Sequence, residues 1–254
     1  MKKTLLLLSL LFLVFFPSCV EESPEPIYTP ETVNKEDRKL LYTDEVENIT
    51  FGFYNDKTAE VLEVSEDHTR TALTLPESIG DHTLVAIGKE AFLKAPYSEI
   101  TLPKTIESIG ARAFQKSLIE KITLPDAVTE LGEEAFDNCL RLQKITFGNG
   151  LKKIPLGCFF SCSALTELCV PEGVEIIEEE AFASLTALQS LSLPSSLKVI
   201  GNFAFWHSGK APLNITVPSS VSSIGEEAFA GEHRHVFRYV GENAEIKKAL
   251  GLNP

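Results

Sequence analysis

From residue 73 onward the apolar positions fall into a pattern that repeats. Copies begin at Leu73, Ile100, Ile122, Ile145, Leu168, Leu191 and Ile215, mostly 22 to 24 residues apart, and the first is lengthened by an insertion around 80–84. A period of this size marks a solenoid, in which no copy buries its own apolar face and each depends on its neighbours. In the copy at 122–142, Ile122 and Leu124 alternate with Thr123 as a half-buried strand requires, and Pro125 ends the strand because it has no ladder donor. The tighter spacing over 133–139 predicts one helical or 3-10 turn.

Stacking the copies turns equivalent residues into columns. Phe92, Phe114, Phe136, Phe159, Phe182, Phe205 and Phe229 share one phase, and the residue before each is Ala except Cys158, so that position admits only a small side chain. Ile87, Ile109, Leu131, Ile154, Ile177, Ile200 and Ile224 form a second column. Glycine follows this column at 88, 110, 132, 201 and 225, whereas Pro155 and Glu178 occupy the other two places. Proline cannot take positive φ, so glycine there is a preference, not a conformational need. Seven rungs at sheet spacing predict a stack of roughly 30 to 35 Å.

A solenoid must cover its ends. Residues 49–54 and 59–64 alternate like two strands joined through Asn55, Asp56 and Lys57, a hairpin for the first rung, while 236–240 reads as a last strand and 242–250 as a short closing helix. Ahead of these, Lys2 and Lys3, an apolar run over 5–16 and then Pro17 and Ser18 form an export signal too short to span a bilayer. Residues 20–39 are rich in proline and charge and poor in apolar side chains, the composition of a disordered tether. The expected organisation is a signal peptide over 1–18, an anchor and tether over 19–39, an N-terminal cap over 40–72, seven repeats over 73–235 and a C-terminal cap over 236–254.

The repeated Leu-x-Leu-Pro-x-x-Val-x-x-Ile-Gly-x-x-Ala-Phe-x-x-Cys-x-x-Leu resembles the BspA-type leucine-rich repeat, whose members are commonly microbial surface proteins, several of them implicated in adhesion. That resemblance implies an α/β, right-handed leucine-rich-repeat solenoid with a parallel β-sheet and short helical or 3-10 turns. It also implies surface binding, with no particular ligand. Phe16-Pro17-Ser18-Cys19 resembles a lipobox, which implies diacylation at Cys19. Val20-Glu21-Glu22 is similar to the acidic export signals that send Bacteroidetes lipoproteins to the outer face of the outer membrane.

Charge narrows the partners. The chain has 36 acidic and 23 basic residues and a formal net charge of −13, and loss of the signal removes Lys2 and Lys3 but no acid. Such a chain repels nucleic acid and anionic lipid, so neutral, basic or metal-assisted partners are expected; the surface-protein resemblance implies an extracellular protein or glycan, with the membrane reached only through the lipid. No G-x-S-x-G, H-E-x-x-H, P-loop or dinucleotide fingerprint occurs, so neither catalytic residues nor a cofactor are expected.

Phase also places the remaining chemistry. Cys139 and Cys162 share the column after the Phe, Cys158 stands in the Ala column and Cys169 points outward, so the four do not converge on a metal; free core thiols are expected rather than a Cys139–Cys162 disulfide. His233 and His235, with Arg234 and Arg238, read as a solvated basic patch over the last rung. Thr74, Thr101, Thr123, Thr146, Cys169, Ser192 and Thr216 take the outward strand position, a ladder that suits strand pairing and also offers hydroxyls to a partner's backbone or a sugar. Phe160 and Trp206 flank Ala183 on one exposed edge about 10 Å apart, with His207 beside them. This pair is either an aromatic contact patch or, for Trp206, a cover over the loop 208–212. The expected function is a surface lipoprotein that binds a host or matrix macromolecule; a carbohydrate-binding accessory lipoprotein is the alternative.

Overall fold

The computed structural model describes residues 38–65 and 71–252. The signal segment, Cys19 and all but two residues of the expected tether therefore lie outside the described residues. The exceptions, Arg38 and Lys39, correct the boundary at 39, because both are engaged with the chain that follows. The Arg38 guanidinium lies 3.5 Å over the Tyr54 ring, and the Lys39 backbone exchanges hydrogen bonds with Asn55.

Each rung contributes to three walls. The first is built from three- or four-residue strands such as Glu99–Thr101, Lys121–Thr123, Lys144–Thr146 and Glu167–Cys169, in three parallel sheets that part between Lys144–Thr146 and Glu167–Cys169 and again before Asn214–Val217. Equivalent residues lie opposite one another where strands pair: Leu73 with Ile100, Ile122 with Ile145, Leu168 with Leu191. In most of these strands the middle residue is buried and the outer two face solvent, as the alternation dictates. The second wall went unread in the sequence. It consists of two-residue parallel strands, among them Ser108–Ile109, Glu130–Leu131, Lys153–Ile154 and Ile176–Ile177, which carry the isoleucine column. Two residues are too few to show alternation.

The third wall corrects the expected helical or 3-10 turn. Its residues form paired β-turns, with Ala113 N–H donating to Gly110 and Gln115 N–H to Arg112 within one rung. Between these, alternate amides reach across to the next rung, and the Phe amides run without a break from Phe92 donating to Ala113, through Phe136 donating to Cys158, to Phe205 donating to Ala228. This arrangement needs two left-handed residues per rung, four apart: Glu90 and Lys94, Arg112 and Lys116, Glu134 and Asn138, Glu180 and Ser184. Most are not glycine, so the local sequence gives no warning of them. Among the described residues the one α-helix is Ala244–Ala249, started by Asn243, whose side chain accepts from the amides of Glu245 and Ile246.

Inside, the phenylalanines stack face to face with centroids 4.9 to 5.5 Å apart and rings within 15° of parallel. Ring stacking at the rung repeat keeps the core continuous where single rungs could not. The glycines after the isoleucine column have ordinary φ and serve close approach instead. A Cβ on Gly201 would lie 2.7 Å from the Glu178 carbonyl carbon, and one on Gly132 would fall inside the backbone of Ala111. Their amides also pair rungs, Gly132 with Ile109 at 2.7 Å and Gly201 with Ile177 at 2.8 Å. Pro155 has no such donor, and there the second wall separates into two sheets, one ending at Glu130–Leu131 and the next starting at Lys153–Ile154.

At the start of the stack, Leu40–Val46, Ile49–Tyr54 and Thr58–Val64 form an antiparallel three-stranded unit, whose last strand pairs in parallel with His82–Ile87. The hairpin expected from 49–64 is present, and it is joined by a further edge strand. At the other end Val236–Tyr239 pairs in parallel with Asn214–Val217.

Candidate functional site

The outward residues of the first wall form one face. Thr74, Thr101, Thr123, Thr146, Ser192 and Thr216 are all exposed there, together with Cys169. Register brings Thr123 opposite Thr146 and Thr74 opposite Thr101. An open groove of about 520 Å³ crosses three rungs and is lined by Thr101, Thr123 and Thr146. It adjoins a second of about 670 Å³, which continues past Thr146 to Cys169. Ser192 and Thr216 lie beyond these grooves.

The same face carries residues that the hydroxyl pattern concealed. The strand position before each buried residue reads Glu99, Lys121, Lys144 and Glu167, all exposed, with Lys121 opposite Lys144. The signal for them was available, since strand alternation puts two outward positions in every three-residue strand and only the second repeats a residue type.

The aromatic edge is less open than expected. Phe160 and Trp206 are both half-buried and Ala183 between them is fully buried, so the pair does not stand as an exposed platform. Nor do the two share a setting. Phe160 borders a groove of about 210 Å³ with Glu134, Asp137 and Glu180. Burial raises the Asp137 carboxyl pKa, against hydrogen bonds from Gln115 at 2.8 Å and Asn138 at 2.6 Å that hold it down. Trp206 instead leans on His207 at 4.0 Å between centroids. His207 lines a separate cleft of about 160 Å³ with Lys210, Glu232 and His233.

The solvated patch at the last rung is likewise corrected at His235. That ring is half-buried and its Nδ1 accepts the Leu213 amide at 3.2 Å, tying the last strand to the loop before the preceding one. Burial, with His233 adding to it, lowers its pKa, so the neutral acceptor form is favoured. Among the described residues no cluster of three His, Cys, Asp or Glu side chains is placed to hold a metal.

The cysteines lie where phase put them: Cys139, Cys158 and Cys162 buried, Cys169 exposed, all as free thiols. Cys139 Sγ donates to the Phe114 carbonyl at 3.0 Å and Cys162 Sγ to that of Phe136 at 3.2 Å, so each thiol bonds to the preceding rung at a carbonyl that also accepts an amide of its own rung. Ser208 takes the same role at the next places, donating to the Phe182 carbonyl at 2.7 Å. Burial pushes the Cys158 and Cys162 thiols up, away from the reactive thiolate.

Parallel rungs, a phenylalanine spine and an outward strand face define a leucine-rich-repeat β-solenoid. The chain belongs to the BspA-type leucine-rich repeat family: the BspA type leucine rich repeat region matches residues 85–212 in six copies. The structure adds rungs on both sides of that span, at Leu73 and Ile215. Solved structures share the fold. A leucine rich cell surface protein from Faecalibacterium prausnitzii is 23% identical with a TM-score of 0.65, over 80% of this chain and 56% of that one. A leucine-rich repeat protein from Eubacterium ventriosum is 24% identical with a TM-score of 0.60, over 73% and 50%. The T. pallidum leucine rich repeat protein is 21% identical with a TM-score of 0.61, over 84% and 97%. The chain thus spans about half the length of the first two and nearly all of the third. No curated protein sequence matches it. Among the described residues no helix is long and apolar enough to cross a membrane.

Proposed function

We infer that this chain is a cell-surface lipoprotein that binds an extracellular macromolecule without transforming it, anchored through Cys19 and presenting the strand face of its solenoid. The observation that carries this reading is the open groove across Thr101, Thr123 and Thr146, which is wide and shared between rungs rather than enclosed. A surface of this kind gains affinity from many modest contacts and discriminates by pattern. Membership of the BspA-type family supports surface binding, and the lipobox-like residues before Cys19 support the anchor. The carbohydrate alternative draws on Trp206 and His207, whose rings touch beside a polar cleft.

The test is binding of the chain from residue 20 onward, which holds every described residue, to arrays of matrix proteins and of glycans. Selective binding to a protein, kept when Phe160 and Trp206 are both changed to Ala in a variant that retains its fold, is the expected result. Glycan binding lost in that variant moves the function to the aromatic edge, and binding to neither array removes the adhesive reading.

A further inference from the structure

Two lysines at the centre of the strand face make no close ion pair, in a chain that has more acids than bases. Some lysines elsewhere on the solenoid are paired across rungs: Lys153 Nζ lies 2.8 Å from Glu178, Lys198 Nζ 2.7 Å from Glu175, and Lys104 Nζ 3.6 Å from Glu77. Lys121 and Lys144 make no ion pair among the described residues, and their Cα atoms are register partners one rung apart. Like charges directly opposite on neighbouring strands destabilise the sheet. Both side chains border both grooves, so their charge is directed at the space that a partner would fill.

The surroundings restrict what that partner can be. Glu99 is the register partner of Lys121 on one side, and Glu167 borders the groove beyond Lys144 on the other, so the row reads acid, base, base, acid. Glu99 lies one paired strand from Lys121, roughly 5 Å and inside the screening length of about 8 Å in physiological salt, while Glu167 stands on the rung after Lys144, whose strand does not pair with it. A polyanion running along the stack would meet a glutamate at either end. A single carboxylate meets only the two ammonium groups. The outward positions of these four strands hold Thr, Lys, Glu and Cys, and the aromatic ring that lines the second groove, Phe147, is half-buried and packed edge-on against Phe159 in the core. It is therefore a poorer platform for a sugar, whereas Thr hydroxyls both donate to and accept from a peptide backbone.

We propose that Lys121 and Lys144 form a carboxylate-binding site for an extended segment of an extracellular protein, seating one Asp or Glu side chain between them with neutral or basic residues on either side. Thr101, Thr123 and Thr146 hold the segment's backbone along the groove, and Glu99 and Glu167 reject longer acidic runs. This names the partner for the strand-face binding inferred above and rests on that reading.

The test uses the chain from residue 20 onward and an array of nonapeptides with a single central Glu between random neutral or basic flanks. Matching sets carry Gln at the centre or Glu at all nine positions, and a sulfated hexasaccharide is the polyanion control. The expected result is preferential binding to the single-Glu set that weakens as salt rises. It falls at least tenfold in the Lys121→Gln, Lys144→Gln double variant, whose melting temperature stays within a few degrees because both side chains are exposed. Equal binding of the Gln set, or undiminished binding by the double variant, overturns the proposal, as does stronger binding of the all-Glu peptides or the hexasaccharide through the same lysines. Because the peptides are read directly, failure here is separable from failure of the broader reading. A variant that loses nothing on the matrix-protein array leaves strand-face binding standing and removes only this site.

Discussion

Phe136→Ala lowers the free energy of unfolding by about 3–5 kcal/mol, the loss expected when a fully buried aromatic ring is removed and its space cannot close. Phe136 is fully buried and lies between Phe114 at 4.9 Å and Phe159 at 5.0 Å, nearly parallel to both. The neighbouring rungs cannot slide together to fill the void, because the Phe114 amide is bound to Ala135 and the Phe136 amide to Cys158 at 2.7 and 2.8 Å. A loss of this size is a large fraction of the roughly 5–15 kcal/mol that stabilises a typical domain. Denaturant titration followed by circular dichroism reads it as a fall in midpoint. A lowered slope in the same titration would show the stack parting at this rung and the two halves unfolding separately, as nearest-neighbour stability allows. Phe229→Ala serves as the comparison: that ring is half-buried, stacks face to face on Phe205 with Phe237 edge-on at 5.0 Å, and its loss costs less.

Gly132→Ala costs about 1–3 kcal/mol, the usual penalty for forcing extra atoms into a packed site. The reason is contact, since Gly132 has no positive φ and its added Cβ would fall on the Ala111 backbone. The amide at Gly132 donates to Ile109 at 2.7 Å, so relieving the clash by moving the rung apart sacrifices a ladder bond. Glu178 shows how the fold accommodates a side chain at the same phase. Its amide still reaches Ile154 at 2.9 Å, while its carboxylate accepts the Leu156 amide at 3.0 Å and Lys153 Nζ at 2.8 Å. Thermal melting checks the prediction: Gly132→Ala lowers the midpoint by several degrees, and Glu178→Gly produces no comparable fall. A Gly132→Ala protein as stable as the parent would mean that the rungs have slack the structure does not show.

Much of this architecture could be read from the chain because its strongest signals repeat. Seven phenylalanines at one phase, each following a small residue, leave few arrangements other than a stack, and the outward threonines follow from the same register. The hairpin over 49–64 was legible because both strands are long enough to alternate. The second strand wall was not, since Ser108–Ile109 and its equivalents are two residues long. The turn wall was misread as helical for a related reason. An Ala-Phe-x-x-Cys spacing suits a 3-10 turn as well as it suits two β-turns, and the left-handed residues that distinguish them are Glu, Lys, Asn and Ser instead of glycine.

The candidate site divides in the same way. Outward placement of Thr101, Thr123 and Thr146 needs only alternation, but the exposure of Phe160 and Trp206 depends on how turns close over Ala183, which no local rule states. His235 reads as solvated from its charged neighbours and is instead tied to Leu213 by packing between rungs. Lys121 and Lys144 stay inconspicuous in a list of charges, and gain meaning only when register sets them opposite one another with Glu99 on the far side of Lys121.

On the proposed function, Cys19 holds this solenoid outside a cell, where its strand face can meet other macromolecules. The most direct measurement expresses the chain in a Bacteroidetes host fed a labelled fatty acid, and treats intact cells with an added protease. The prediction is a labelled chain that the protease removes from intact cells, and a Cys19→Ala variant that carries no label and is not retained at the surface. A chain that stays protected until the cells are broken, or that never takes up the label, would contradict it.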